Sequence, residues 1–419
     1  MARRMGVIAL LLLVAVVGLC AAEAPKHAAK QQAGATAASK RLAAALTKSY
    51  LSNEQLGAWM DEFMGRCGRI GRKFAVGKSA GGVPFWGLEL SDKPGADEAE
   101  PNFAYIANMH GNEVSGRALL PLLAEWLCAN DGKDERATRL LRDAHLFILP
   151  TMNPDGFNRR QRENNKGFDL NRNFPDPIVD KGTDLRKARP QTQPEVAAVM
   201  EWSLGRNWAG SANLHEGAVV VNYPYDGYTA PGQWGTAHLT PDDATFKFLS
   251  RTYANLNPLM VKSKEFPGGI TNGAQWYDIY GGMQDWKYTT AGAMELTLEV
   301  SQDKWPAAST LGAIWDQNRD AMIALATAAA FGGARGRVTA EGSGAPLAAT
   351  LVAKPATPNG YGPPVPFYAS KGAGFYARPL APGKYTLVAS APGYAPAEAA
   401  ITVPADGRGV AQDFVLKTK

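Results

Sequence analysis

Five histidines occur in the 419-residue chain, and two of them stand where a folded sheet could bring them to one ion. His110 and His215 each close a short apolar run, 103–109 and 210–214, and strand ends of an open α/β sheet line its ligand crevice. The other three read as structural or solvated. His27 lies in a polar, alanine-rich stretch, His145 opens an apolar run, and His238 follows a loop rich in Gly, Pro and Thr. Glu113 stands three residues after His110, in His110-Gly111-Asn112-Glu113, so a strand end turning into a helix can point an imidazole and a carboxylate at one cation. Two neutral imidazoles, a carboxylate and an open fourth position form a ligand set for hydrolytic zinc. The four-residue motif is short, and its surroundings carry the specificity.

Those side chains need a scaffold, and the hydrophobic pattern supplies one. Runs at 85–90, 103–109, 145–150, 210–214, 218–222 and 294–300 have the length and apolarity of buried strands. Between them, 54–65, 114–128, 193–204, 244–256 and 310–331 have helical length and period. Alternation of the two predicts an α/β domain over 46–331, a central sheet covered on both faces by helices. At Gly332-Gly333 the character changes. Short runs bounded by Gly, Pro or Asn fill 332–419 and predict a small all-β sandwich, which lacks His and Cys and therefore receives no catalytic role.

The N-terminus predicts export. Arg3 and Arg4 precede an apolar run at 7–19 and small residues at Cys20 and Ala22, the pattern of a signal peptide over 1–22. About 14 apolar residues fall short of the ~20 that span a bilayer. Residues 23–45 are low-complexity and read as a tether or frayed helix. No folded pro-segment and no C-terminal anchor tail is expected, so the product should be secreted or periplasmic, with no membrane span in the mature chain. After cleavage, 42 basic residues face 39 acidic ones, too small an excess for a nucleic-acid partner. With 45% hydrophobic and 20% charged residues, disorder is excluded. Cys67 and Cys128 remain, in helix-like contexts about 60 residues apart; the spacing does not decide between a bridge and buried thiols, and thiols are the expectation. No Asn-x-Ser/Thr sequon occurs.

Five further motifs follow in order: Asn153-Pro-Asp-Gly-Phe157, Asp169-Leu-Asn-Arg-Asn-Phe-Pro175, Asn222-Tyr-Pro-Tyr-Asp226, Gly281-Gly-Met-Gln-Asp-Trp286 and Glu295-Leu-Thr-Leu-Glu299. Together they resemble the zinc metallocarboxypeptidases (peptidase family M14), in the regulatory subfamily of carboxypeptidases D, E, N and M. The resemblance covers about residues 48–331, and that subfamily carries a transthyretin-like sandwich after its catalytic domain.

The resemblance implies one Zn2+ per chain, held by His110, Glu113 and His215, with water acidified toward a pKa of ~7. It implies Glu299 as general base. On the residues alone Glu295 competes, since positions four apart on a strand share a face; the family pattern selects Glu299. Arg172 matches the clamp for a substrate α-carboxylate, with Asn171 beside it and Tyr277 as a closing hydroxyl. Arg162, among Arg159, Arg160 and Arg162 in a loop shorter than usual, matches the oxyanion-stabilising position. Asp226 matches the acidic residue facing the departing side chain, with Gln284 as a second polar wall. The implied partners are peptide or protein C-termini ending in Lys or Arg.

Two departures stand out. Glu216 replaces a common glycine and sets an extra carboxylate beside a ligand, where it can shift the acidity of the water or the substrate preference. Cysteines common around the catalytic strand are absent, with Met294 and Gln302 in that neighbourhood. Two rival readings keep the fold: a binding protein without catalysis, and the same zinc chemistry on cell-wall or side-chain-linked peptides.

Overall fold

A computed structural model describes residues 37–419 apart from 47, 229–232, 234 and 359; the expected signal segment lies outside them. Eight strands build one mixed sheet: β1 (Gly71–Lys78), β2 (Pro84–Leu90), β3 (Asn102–Ala107), β4 (His145–Leu149), β5 (Trp208–His215), β6 (Ala218–Tyr223), β7 (Ile270–Asn272) and β8 (Met294–Ser301). Their spatial order is β1-β2-β4-β3-β5-β8-β6-β7. The inner strands β4, β3, β5 and β8 are parallel, while β2 joins β4 and β6 joins β8 in antiparallel fashion.

Strand periodicity divides the core. Phe103, Tyr105 and Ala107 of β3 enter one hydrophobic cluster, whereas Ala104 and Ile106 enter another on the opposite face. The first face is covered by α1 (Ala37–Leu46), α2 (Asn53–Cys67), α3 (Ser115–Asn130), α4 (Glu135–Asp143) and, after α5 (Pro194–Leu204), by α6 (Asp243–Ala254) and α7 (Leu311–Phe331). The second is covered by α5, through Val196, Val199, Met200 and Trp202. Both faces are buried, which explains why β3 and β4 are almost uninterruptedly apolar.

On β5 and β8 one face is polar. Ser211, Asn213 and His215 stand in register with Glu295, Thr297 and Glu299, while Ala212, Leu214, Leu296 and Leu298 enter the core behind them. This stripe leads along the sheet to its carboxyl edge.

Three expectations are corrected here. Part of the low-complexity stretch is the helix α1, whose Leu42 and Leu46 are buried, so the packed unit begins before residue 46. Cys67 and Cys128 form a disulfide between the end of α2 and α3, their Cα atoms 6.2 Å apart. Each cysteine sits on a helix as expected, but α2 lies across α3, with Trp59 donating to Glu125 at 3.0 Å, and that crossing brings the sulfurs together. A loop of 61 residues closed in this way restricts the unfolded chain by about 4 kcal/mol. Finally, β1 and α4 are elements that the apolar pattern does not announce.

After α7 come β9 (Ala334–Ala340), β10 (Thr350–Pro355), β11 (Phe367–Tyr368), β12 (Phe375–Arg378), β13 (Gly383–Ser390), β14 (Ala397–Val403), β15 (Val410–Ala411) and β16 (Phe414–Leu416). They form two sheets, β11-β10-β13-β14 and β12-β9-β15 with β16 also on β9, around a separate apolar core. The sandwich is tied to the first domain by buried Arg378. Its guanidinium meets the Asp242 carboxylate at 2.6 Å and the Gly292 carbonyl at 3.0 Å.

Candidate active site

The backbone at the end of β3 turns sharply. Asn108 takes φ 56°, and its buried amide donates to the carbonyls of His110, Gly111 and Glu113 at 3.0, 3.1 and 3.0 Å. One side chain therefore holds the loop that presents His110 and Glu113. A second asparagine locks this loop to its neighbour: Asn153 donates to the carbonyls of Met109 and Arg162 at 3.1 and 3.3 Å. Where the loops cross, a Cβ on Gly111 would lie 2.1 Å from the Gly156 carbonyl carbon, so only glycine fits.

Three donor atoms converge here. Oε2 of Glu113 lies 3.0 Å from Nδ1 of His110 and 2.8 Å from Nδ1 of His215, and the two Nδ1 atoms are 3.0 Å apart. Nε2 of His110 faces the Asp169 carboxylate at 3.1 Å, which places the proton on Nε2 and a lone pair on Nδ1. Nε2 of His215 is buried without a partner among the described residues. Three lone pairs aimed at one point repel unless a cation lies between them, so the group fits a divalent metal. Lys304 takes the other Glu113 oxygen at 2.9 Å.

Asp169 joins several parts of the site. Besides His110, it accepts from Nε of Arg162 at 2.9 Å and from the Asn171 amide at 2.8 Å. Nη1 of Arg162 lies 3.1 Å from Nδ1 of His110 and 3.4 Å from Glu113.

Burial opposes charge throughout the cluster. At His215 it wins and lowers the imidazole pKa; at His110 the Glu113 and Asp169 carboxylates outweigh it and raise the pKa. Glu113 resists burial through the two histidines and stays well below its ordinary value. Burial, then the carboxylates of Glu113 and Glu216, push Glu299 well above its own.

His110, Glu113, Arg162, Asn171, Arg172, His215, Asp226, Tyr277 and Glu299 line one cleft of about 150 Å³. Arg172 is exposed, and among the described residues its guanidinium makes one hydrogen bond, to the Asn171 carbonyl at 2.9 Å, and no ion pair. Asn171 accepts from the Met283 amide at 2.9 Å, and its own NH2 has no partner among the described residues. Tyr277 stacks edge-on against Trp276 with 44% of its surface exposed, and burial with the Glu299 charge pushes its phenol up to about 12.

Asp226 is buried at the far wall. Its Oδ1 accepts from Asn222 at 3.0 Å and Gln284 at 2.9 Å, and burial raises its carboxyl well above the usual range. A Cβ on Gly273 would lie 1.8 Å from that Oδ1, so a glycine there leaves the carboxylate its place. Gln284 is not among the lining residues: it holds Asp226 from outside the cleft, a correction to its expected place as a wall.

Glu216 lines the cleft without joining the three metal-ligand atoms, and Glu295 lies outside it. Both Glu216 oxygens cap the start of α3, accepting from the amides of Val114 at 2.5 Å and Ser115 at 2.8 Å, where the helix offers no side-chain cap of its own. Glu216 thus serves the fold beneath Glu113, and burial raises its carboxyl to about 8. Glu295 is engaged by Ser211, by Asn213 at 2.8 Å and by buried Lys287 at 3.4 Å.

Sequence reasoning did not single out Asn108, Asp169 or Lys304 for a role. Asp169 stands inside a quoted motif, but Asn108 and Lys304 look like ordinary turn and surface residues.

Residues 56–321 match the zinc carboxypeptidase family, Peptidase M14, and residues 333–417 match the carboxypeptidase regulatory-like domain. The chain belongs to the zinc carboxypeptidase family. It is 44% identical to carboxypeptidase SOL1 of Arabidopsis thaliana over 88% of this chain and 73% of that protein. To carboxypeptidase D of Mus musculus it is 40% identical over 83% of this chain, which spans only 25% of that longer protein. To the mouse carboxypeptidase N catalytic chain it is 37% identical, covering 84% and 82%. Among solved structures, thrombin activatable fibrinolysis inhibitor superposes with a TM-score of 0.56 at 20% identity, over 67% of this chain and 74% of that one. That likeness speaks for the fold. The enzyme is a metallocarboxypeptidase, a hydrolase of peptides. No helix among its described residues is long and apolar enough to cross a membrane.

Proposed function

We propose that this enzyme is an exported zinc carboxypeptidase that releases a single C-terminal Lys or Arg. The observation that carries the reading is the single cleft: a His2Glu cluster, an unpaired guanidinium and a buried carboxylate face the same space.

His110, Glu113 and His215 would hold the zinc, with Asp169 fixing the His110 tautomer. When bound, zinc supplies Lewis acidity that polarises a carbonyl and acidifies water. Glu299 accepts the proton of the attacking water and returns it to the departing amine. Arg162, held by Asp169, faces the oxygen on which negative charge develops. Arg172 receives the substrate α-carboxylate in a charge-assisted pair, Asn171 adds a donor from its free NH2, and the exposed hydroxyl of Tyr277 closes over the end. Asp226, restrained by Asn222 and Gln284, pairs with the cationic side chain of the departing residue. The disulfide supports export, because such bonds persist in oxidising compartments.

The test is mass spectrometry of a peptide ending in Arg, before and after chelation. Loss of one Arg, stopped by chelator, restored by Zn2+ and absent when the C-terminus is amidated, supports the reading. Internal cleavage, or activity in metal-free protein, refutes it.

A further inference from the structure

A second group of metal-competent side chains lies outside the cleft, formed by the segment between β2 and β3 and the first residue of β4. His145 opens β4 and is 3% exposed, so its ring is almost wholly withdrawn from water. Nδ1 meets the Glu89 carboxylate at 2.8 Å. Glu89 is buried too and is fixed by the Gly95 amide at 2.9 Å and by Arg72 at 2.5 and 2.9 Å. A carboxylate so well held accepts a hydrogen bond from Nδ1–H, which in the neutral imidazole leaves Nε2 with a lone pair.

Among the described residues that lone pair has no hydrogen-bond partner. Nε2 of His145 is buried without one, and so are Oε2 of Glu98 and Oε2 of Glu100. The ligand atoms of these three residues lie within 4.8 Å of one another. Glu100 Oε2 stands 3.7 Å from Nε2, beyond hydrogen-bond range. Glu98 and Glu100 flank a bend at Ala99, and both bring a carboxyl oxygen to His145. Glu98 spends its other oxygen on Lys93 at 2.7 Å. Buried polar atoms without partners are costly, and three acceptors facing one another are costlier still.

We infer that His145, Glu98 and Glu100 form a second divalent-cation site, suited to zinc. The imidazole excludes a purely hard-cation cage. Glu89 behind His145 is the carboxylate–histidine arrangement that orients a metal-ligating ring. Zn–N and Zn–O bonds of ~2.0–2.2 Å place ligand atoms up to ~4 Å apart, so rotation of the two partly buried glutamates closes the site.

Its place suggests its use. Asp97 accepts from the Gly372 amide at 3.1 Å, and Ala99 packs with Phe375 and Ala377 of β12. A cation on Glu98 and Glu100 therefore stiffens the segment on which the sandwich docks, and the site is structural.

This inference does not rest on the peptidase reading. Zinc per chain would be counted in the full-length protein after dialysis at submicromolar free zinc, for the unmodified chain and for Glu98→Gln/Glu100→Gln. The variant should hold one equivalent less at unchanged peptidase activity; equal zinc counts overturn the site. Crystals of the unmodified, zinc-soaked protein give a second measurement at the zinc absorption edge. An anomalous peak against Nε2 of His145 is expected, and its absence overturns the proposal.

Discussion

His215 stands directly opposite Glu299 across the parallel ladder between β5 and β8. Four residues earlier on the same two strands, Ser211 stands opposite Glu295. The two glutamates share a face of β8 yet meet different surroundings, one an imidazole–carboxylate cluster and the other a buried lysine. Glu299→Gln should slow hydrolysis by ~10²–10⁴-fold with zinc content unchanged. Glu295→Gln leaves Lys287 buried without its charge partner and should cost ~3–5 kcal/mol of stability, with turnover per folded molecule retained. Thermal unfolding and steady-state rates on both variants distinguish them, and an exchange of the two phenotypes contradicts the assignment.

Glu216 tests a different point. Because its oxygens serve the amides of Val114 and Ser115, Glu216→Ala should lose ~1–3 kcal/mol of stability. The ratio of Arg to Lys release should stay as it is. A changed ratio at unchanged melting temperature would move Glu216 from the helix start to the substrate.

Asp169 is a positioning residue, acting through His110 and Arg162. Asp169→Asn frees the His110 ring to flip its tautomer and should weaken zinc binding by ~10–100-fold, read by competition with a chelating dye. Unaltered zinc affinity would show that the His110 contact carries no weight.

Much of this was legible in the chain, for physical reasons. Inner strands buried on both faces carry many apolar residues, so β3 and β4 announce themselves as nearly unbroken runs and β5 and β8 through their apolar core-facing positions; β1, with Arg72, Lys73 and Lys78 in an edge strand, does not. His110 and Glu113 are readable as a pair because three residues separate them. Asn108 and Asp169 work through hydrogen bonds whose geometry appears only when the loops are in place. Gln284 resembles a pocket wall in one dimension, but in space it stands behind Asp226. The pairing of Cys67 with Cys128 depends on how two helices cross, which spacing does not encode. His145 reads as a core histidine because Glu98 and Glu100 reach it from another segment.

The proposed specificity for basic ends assigns the decisive charge to Asp226, and here the pH argument has a definite sign. Burial raises its carboxyl, so ionisation costs folded-state stability as pH rises from the ordinary aspartate range toward the raised value. Asp226→Asn removes that cost, and at neutral pH the variant should be at least as stable as the parent. Its cleft, however, has lost the charge that meets a guanidinium.

The most direct measurement is kcat/KM for otherwise identical peptides ending in Arg and in Phe, with the unmodified enzyme and with Asp226→Asn. A strong preference for Arg that falls by about 10²-fold or more in the variant is the predicted result, since an unpaired charge in a desolvated pocket costs several kcal/mol. A preference for Phe in the unmodified enzyme, or an Arg-to-Phe ratio that the substitution leaves untouched, would contradict the account.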